Sequence, residues 1–253
     1  MNSPSGGASA ATGVSGRLAA LGPYFAADSH HPSAAGPPPA PWRSMSELFD
    51  DADVLAGRVE AVRGYLAGTG GLPTESIEVR VAASVMHLGL AARLLSPLFA
   101  LAVLGRRLPT QSPIGLGDLR WQPALGSMFA LSIPDLDRAE TSSDGERAPH
   151  IESLAAELCE VTGAFGVSPR VLWGNIASAL NGARIASSTA EPRFAPQART
   201  QLSRLLSRPP LADTSGTMPG GRFQRRSCCL IYRAAPDRRG PLCGDCILAA
   251  QDR

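Results

Sequence analysis

Apolar residues recur at helical spacing along the first half of the chain and predict two long helices. The first begins near Ser44, where Glu47 completes a capping box, and it ends at the glycine-rich residues 68–71. The second runs through residues 80–95, with Pro97 as a kink or break. The apolar stripe of the first helix consists of Leu48, Leu55, Val59, Val62 and Leu66.

The second half predicts three further helices, and the region between the halves predicts strands. Ser168 is a good N-cap and Pro169 suits the first helical position, while a last helix covers residues 198–206. Glycines and prolines punctuate short apolar runs at 119–121 and 128–133, which indicate one or two short strands. The expected fold is therefore α+β and helix-dominated. The two stripes are Ile151, Leu154, Leu158, Val161 and Phe165, then Val171, Leu172, Ile176, Ala179, Leu180 and Ala183.

Composition divides the chain into four parts. Residues 1–15 are mostly Ser, Gly and Ala, so we expect them to be disordered. Residues 16–206 form a helical body, which is where we expect a substrate to bind. Residues 207–221 are rich in Pro, Gly, Ser and Thr and indicate a linker. Residues 222–253 form an irregular C-terminal segment, called the cysteine tail below. The pair His30-His31 is expected in an exposed loop.

Charge and hydropathy narrow the class of protein. A formal net charge of +2 gives no argument for a nucleic-acid partner. The first residues have neither a basic region nor an apolar core, so we expect no secretion signal. The most apolar stretch, 94–105, is shorter than the about 20 residues that a membrane span needs, and it contains Pro97. We therefore expect a buried core helix, no membrane insertion and a cytoplasmic protein.

Four of the five cysteines lie within the last 26 residues, as Cys228-Cys229 and Cys243-Gly244-Asp245-Cys246. Thiolates gathered this tightly, without a secretion signal, favour a metal or iron–sulfur centre over disulfides. Four sulfurs suit a tetrahedral zinc ion or a [2Fe–2S] cluster, which takes two thiolates per iron. The spacing Cys243-x-x-Cys246 is a common chelating turn, and Gly244 gives that turn its backbone freedom.

The adjacent pair favours iron–sulfur over zinc. Neighbouring side chains on an extended strand point to opposite faces, so Cys228 and Cys229 can serve one centre only from an irregular segment. Two irons offer more ways to do this than one zinc ion, although zinc, a redox dithiol and unligated cysteines stay open. Cys159 stands apart on a predicted helix, and we expect it to be a small buried hydrophobe rather than a ligand.

These cysteines resemble the terminal cluster motif of the FhuF-like ferric siderophore reductases. The specific part of the resemblance is the stretch 225–233 (RRSCCLIYR) followed by Cys243-x-x-Cys246. Two internal stretches are also similar, 83–97 (ASVMHLGLAARLLSP) and 171–180 (VLWGNIASAL), so that most of the chain from about residue 18 is covered. One feature departs from the family: thirteen residues separate the cysteine pairs, where about ten are expected, an insertion that a surface turn at 234–241 tolerates.

The resemblance implies a reaction and its partners. It implies a cytoplasmic protein whose [2Fe–2S] cluster, on Cys228, Cys229, Cys243 and Cys246, passes one electron to Fe³⁺ in a hydroxamate siderophore and so releases Fe²⁺. The sequence carries no glycine-rich dinucleotide or Walker loop, so electrons are expected from a ferredoxin or flavin reductase type of protein. Candidate residues to line the siderophore site are Arg93, Trp173, Asn175 and Tyr232.

Six arginines crowd the cysteine tail, and three roles stay open for them. They could stabilise a negatively charged cluster, dock an acidic electron donor, or form a solvated basic surface. Two other functions also remain: an iron–sulfur redox sensor or regulatory binding module, and a zinc-stabilised interaction protein. The arginines are Arg222, Arg225, Arg226, Arg233, Arg238 and Arg239.

Overall fold

The computed structural model describes residues 13–32, 37–110, 112–124, 128–142, 149–218 and 221–250, and within them the fold is helix-dominated α+β, as predicted. The helices are α1 (Val14–Ala19), α2 (Glu47–Asp50), α3 (Ala52–Gly70), α4 (Val79–Val103), α5 (Pro149–Gly163), α6 (Pro169–Ala190) and α7 (Ala195–Leu206). The strands are β1 (Asp28–His30), β2 (Arg43–Ser44), β3 (Arg106–Arg107), β4 (Arg120–Gln122), β5 (Ala130–Pro134), β6 (Glu140–Thr141), β7 (Ser215–Thr217) and β8 (Phe223–Arg225).

The short strands form three small sheets. The largest has the order β1-β5-β4-β2, with β1 parallel to β5 and the other pairs antiparallel. Its β4 and β5 are the two strands that the apolar runs at 119–121 and 128–133 predict. The pairs β3–β6 and β7–β8 are antiparallel. The strands that the sequence did not indicate have two or three residues each, too few for an alternating pattern to be recognised.

Helix α4 is the centre of the fold and packs against α3, α5, α6 and α7. Its 25 residues are long and apolar enough to cross a membrane by length and composition, but 72% of its most apolar window is buried inside the protein. Of the kink or break predicted at Pro97, the break is wrong, because α4 continues through this residue to Val103. The burial of neighbours such as Leu94 and Phe99 outweighs the cost of about 3 kcal/mol that an internal proline imposes.

The predicted start of the first long helix is also wrong. Ser44 lies in β2, and α3 begins eight residues later with the Asp51 carboxylate accepting a hydrogen bond from the Asp53 amide at 3.0 Å. The Glu47 carboxylate makes no capping box, because it accepts a hydrogen bond from Trp121 Nε1 at 2.6 Å and pairs with Arg43. The predicted glycine stop is confirmed, since α3 ends at Gly70.

The segments expected at the two ends of the body contain ordered structure. The predicted disordered N-terminus lies outside the described residues up to residue 12, and α1 begins at Val14. The predicted linker 207–221 contains β7, whose pairing with β8 joins it to the cysteine tail. Leu211, within the same segment, is buried in the main core. Cross-strand pairing and burial at this segment are long-range features that its local composition does not reveal.

The two adjacent histidines have different environments. His31 is exposed, as predicted. His30 lies in β1 instead of an exposed loop, with its Nδ1 2.8 Å from Ser132 Oγ on the neighbouring strand. Burial, with the charge of Arg120, lowers the pKa of His30 to about 4. This imidazole is therefore neutral near pH 7.

The buried position of α4 predicts the effect of shortening its side chains. Leu94, 1% exposed, should lose about 2–5 kcal/mol of unfolding free energy on substitution by Ala, because the change leaves a cavity in the core. Ile185→Ala is the matched control on α6, where a side chain 48% exposed should change the stability by about 0.5 kcal/mol or less. Chemical denaturation measures both, and equal losses would contradict this placement of α4.

Candidate metal centre

The adjacent cysteines lie on an irregular segment, as their spacing required. The chain leaves β8 after Arg225, passes through Cys228 and Cys229, and enters a 3₁₀ turn at Ile231–Ala234. Leu230 has the left-handed φ of 70°, which is unfavourable for a residue with a branched side chain. This conformation directs the Leu230 amide back to Cys228 Sγ, to which it donates a hydrogen bond at 3.3 Å.

The second cysteine pair closes against the first. Cys243 Sγ lies 3.6 Å from Cys229 Sγ, and the Cys246 amide donates to the Cys243 carbonyl at 3.1 Å, which forms the chelating type of turn. The thiol of Cys228 is also hydrogen-bonded to Cys229. Cys229 and Cys246 are each 2% exposed, while Cys228 and Cys243 are half-buried. The tail thus gathers its four cysteines at one edge of the helical body.

The side chain of Arg225 is fully buried beside these sulfurs. Its Nη2 donates to Cys243 Sγ at 2.7 Å, and its Nη1 donates to Asn175 Oδ1 at 2.7 Å. Its Nε lies 3.3 Å from Asp245 Oδ2 in an ion pair, and that carboxylate accepts a hydrogen bond from Ser178 Oγ at 2.5 Å. One guanidinium therefore connects β8, helix α6 and the Cys243–Cys246 turn.

Charge at this site favours a cationic arginine and an ionised thiol. Burial lowers the pKa of Arg225, but the negative charges of Asp245, Cys229 and Cys243 outweigh burial and raise it. Hydrogen bonds from the Cys228 and Cys243 thiols, together with the Arg225 charge, lower the pKa of Cys229 to about 2. The same hydrogen bonds with Cys229 raise the pKa values of Cys228 and Cys243, so Cys229 is the one of the three that this arrangement favours as a thiolate, the form that binds a metal.

A buried polar network continues from the tail into the helical body. Asn175 Nδ2 donates to the Ser84 carbonyl at 3.0 Å, and Ser84 Oγ donates to the Cys229 carbonyl at 2.9 Å. On the far side, His87 Nδ1 lies 3.5 Å from Asn175 Nδ2, and His87 Nε2 lies 3.6 Å from Cys159 Sγ. Helix α4 thus binds the backbone of the adjacent cysteine pair through Ser84, and Asn175 of α6 supports Ser84.

Cys159 is buried, as predicted, and lies at the far end of this network. Burial raises its pKa to about 12. Burial also lowers the pKa of its neighbour His87 to about 3, so both side chains are neutral near pH 7. Its surroundings are therefore those of an inert buried thiol.

The structure separates the four residues that sequence analysis suggested for a siderophore site. Asn175 is fully buried within the network, and Trp173 packs against the main core. Tyr232 is half-buried in the turn after the adjacent cysteines. Arg93 lies nine residues after Ser84 on α4, about 13 Å along the helix axis, and therefore projects from the opposite face. The four do not share one site.

Sequence analysis missed several residues that hold the tail in place. Ser84 lies inside the stretch 83–97, and Gly174 and Ser178 lie inside the stretch 171–180, next to Asn175, which sequence analysis assigned to a siderophore site instead. Gly174 lets α6 approach the tail closely, since a Cβ atom there would lie 2.0 Å from Ser227 Oγ. The similarity of these two stretches was the available signal, although nothing in it assigned contacts to individual residues.

Most of the other tail arginines for which contacts are defined pair with carboxylates. Arg226 lies 3.1 Å from Asp213, Arg233 lies 2.7 Å from Glu78, and Arg238 lies 3.8 Å from the same glutamate. The insertion between the cysteine pairs forms the expected surface turn, exposed at residues 236–239. These ion pairs fasten the tail to α4 and to the segment before β7.

The residue types suit a thiolate-bound centre, but the sulfurs do not converge on one point. Within the described part of the chain, no group of three or more His, Cys, Asp or Glu side chains is arranged so that it could hold one metal ion directly. The sulfur of Cys229 instead contacts those of Cys228 and Cys243, so that the three form a row. Four thiols with a buried cation beside them are nevertheless an unusual set outside a metal or redox site.

No protein-family model, no curated protein and no solved structure matches this chain. Its function must therefore be inferred from its own residues.

The buried position of Arg225 predicts a large effect on stability. Arg225→Gln leaves the Asp245 carboxylate without its cation, and we expect the melting temperature to fall by on the order of 10 °C. The adjacent Arg226→Gln removes the same charge from a side chain that is 52% exposed, and should lower the melting temperature by about 3 °C or less. Thermal unfolding followed by circular dichroism compares the two, and similar losses would contradict the structural role of Arg225.

Proposed function

We propose that this protein is a cytoplasmic ferric siderophore reductase whose [2Fe–2S] cluster is held by Cys228, Cys229, Cys243 and Cys246. The observation that carries the proposal is the buried guanidinium of Arg225, hydrogen-bonded to one of four gathered cysteines. A buried cation next to thiols has a clear physical use when those thiols are ionised, because it offsets negative charge that water does not reach.

The order of contacts supports two irons more than one zinc ion. A zinc ion needs all four thiolates around a single point, whereas a [2Fe–2S] cluster takes them two at a time. The sulfurs of the tail make pairwise contacts, Cys228 with Cys229 and Cys229 with Cys243. Cys246 is placed on the same turn as Cys243 and completes the set.

The protein's own groups would set the reduction potential. Cluster ligation by four thiolates gives a net negative centre, and hydrogen bonds to the sulfurs favour its reduced form. Arg225 supplies one such bond at Cys243, and the Leu230 amide supplies another at Cys228. The ion pair with Asp245 keeps the guanidinium in place. The half-buried Cys228 and Cys243 give an edge at which a protein donor could approach.

The reaction balances as a single electron transfer. A bound [2Fe–2S] cluster supplies the one-electron carrier. Held by the four tail cysteines, it would give one electron to the Fe³⁺ of the hydroxamate chelate, which would become Fe²⁺. No bond to the protein forms or breaks and no proton transfer is required. Fe²⁺ carries less charge and binds hard hydroxamate oxygens more weakly, so the chelate releases it.

The electron would come from another protein, of the ferredoxin or flavin reductase type, because the chain has no nucleotide-binding motif. Such encounters are brief and use small, polar contact surfaces. The proposal requires neither nucleic acid nor a membrane as a partner.

The four tail cysteines should each be necessary for iron binding. Separate changes of Cys228, Cys229, Cys243 and Cys246 to Ser should each bleach or destabilise the cluster, because Ser is a poor iron ligand at neutral pH. Cys159→Ser is the matched control and should keep the full iron content, since Cys159 contacts His87 and lies outside the tail. Iron and acid-labile sulfide in anaerobically purified protein measure this. Stoichiometric zinc, or equal loss of iron at Cys159, would contradict the assignment.

The reaction itself can be tested in one turnover. The cluster is reduced without oxygen, then mixed with a ferric trihydroxamate in the presence of a ferrous trap. We expect the cluster spectrum to return to its oxidised form as the ferrous-trap colour appears. An unchanged reduced cluster together with an unchanged ferric chelate, across several hydroxamates, would refute the reductase and favour the redox sensor.

A further inference from the structure

A cleft of about 720 Å³ opens between α3 and α4, on a different face of α4 from the cysteine tail. Its volume is within the range of about 300–1,000 Å³ that small-molecule sites occupy. Most of its wall is apolar, formed by side chains such as Val62, Met86 and Leu90. Two arginines, Arg58 of α3 and Arg93 of α4, interrupt that wall.

Three of the protein's large exposed apolar side chains lie at this cleft. Tyr24 is 45% exposed, Tyr65 is 70% exposed and Met128 is 40% exposed, and all three line the opening. Exposed apolar groups that cluster around a concave surface mark a binding site more often than scattered ones do. The cleft therefore has an apolar rim to hold the body of a ligand.

The two arginines give the cleft a concentrated positive charge. Arg58 Nε and Nη1 are buried and donate to no acceptor among the described residues, while the guanidinium lies over the rings of Trp121 and Phe129. The guanidinium carbon of Arg93 also lies 5.5 Å from the centre of the Phe129 ring. Because both carbons lie 5.5 Å from the same centroid, they are at most 11 Å apart.

Neither arginine has a carboxylate partner within the described ranges. Glu47 acts on Arg58 only through its charge, since its oxygens are taken by Arg43 and Trp121. Arg93 donates to the carbonyls of Phe129 and Tyr24, and Asp28 likewise acts on it only through its charge. Neither nearby carboxylate forms an ion pair with these guanidiniums, so a ligand that brings its own carboxylate into the cleft would add charge-assisted hydrogen bonds there.

The cleft reaches from these arginines towards the cysteine tail. Along α4 it runs from Val85 to Arg93, eight residues and about 12 Å. Val85 directly follows Ser84, which holds the Cys229 carbonyl. On α3, Tyr65 lines the same end of the cleft, and its neighbour Leu66 packs in the small apolar cluster that includes Leu230 of the tail.

We infer that this cleft binds the ferric chelate, with Arg58 and Arg93 holding a carboxylate on its periphery and the chelated iron lying towards the tail. This inference rests on the proposed function for the identity of the ligand. It makes the site selective for hydroxamate siderophores that carry a negatively charged arm. Of the four residues suggested by sequence, Arg93 is then the one that contacts substrate.

A matched pair of chelates tests the charge preference apart from electron transfer. The probes are the gallium complexes of desferrioxamine B, which carries a pendant ammonium, and of its N-succinyl derivative, which carries a pendant carboxylate. Gallium is not reduced under these conditions, so calorimetry on the oxidised full-length protein reports binding alone. We expect the carboxylate form to bind at least about tenfold more tightly, as charge-assisted hydrogen bonds allow.

Two arginine variants locate that preference. Arg58→Gln should abolish most of the preference for the carboxylate chelate, because it removes one of the two charges that hold the carboxylate. The fold should tolerate the change, since Arg58 Nε and Nη1 make no hydrogen bond that would be lost. Arg193→Gln is the control, since Arg193 also stacks on a phenylalanine, Phe194, but pairs with Glu191 outside the cleft. Should Arg58→Gln fail to fold, the two chelates are compared on the wild type at low and high salt, and a preference that salt leaves unchanged would contradict a charge-based cleft.

The outcomes separate this inference from the proposed function. Equal binding of both chelates, no binding of either, or a preference unchanged in Arg58→Gln would overturn the cleft assignment, even if the ferric complexes are still reduced. An arginine-dependent preference without reduction of the corresponding ferric complexes would support the cleft and overturn the reductase.

Discussion

A buried guanidinium needs an anion and acceptors for its donors, because the interior supplies no water to replace them. Arg225 meets this need with groups from separate parts of the chain: Asp245 and Cys243 from the tail and Asn175 from α6. Losing Asp245 would leave the buried cation without its counter-charge, and losing Asn175 or Cys243 would leave one of its donors without an acceptor. The position of the second cysteine pair is therefore tied to the position of the helices, and the tail is a part of the fold rather than an appendage.

Helix α4 links the two sites because its faces have different neighbours. Ser84 faces α6 and the adjacent cysteines, whereas Arg93, about 13 Å further along, projects from the opposite face into the cleft. Because both residues lie on one continuous helix, N-terminal to Pro97, the helical rise and turn set their separation and their opposite directions.

Sequence periodicity was enough to locate α5, α6 and α7, because their apolar stripes face one core and their boundaries carry ordinary helix signals. It failed to place a helix start where a residue distant in sequence binds the side chain that would otherwise cap the helix. Glu47 would cap a helix on its own, but Trp121, 74 residues away, takes its carboxylate. The cysteines could be selected from residue type and spacing alone. The contacts of Arg225 could not, since nothing local distinguishes it from Arg226, which lies exposed beside it.

The ion pairs of the tail also bear on the three roles considered for its arginines. Arg226, Arg233 and Arg238 each lie beside a carboxylate of the body or of the segment before β7, so much of their field is cancelled near the surface. Arg225 alone among these four donates to a sulfur. Of these pairs, the one between Arg233 and Glu78 is the most shielded from water and contributes most to holding the tail on the body. Among these four arginines, only Arg225 can offset negative charge on the cysteines. Its ion pair with Asp245 already neutralises part of its charge, which limits how strongly it stabilises thiolates.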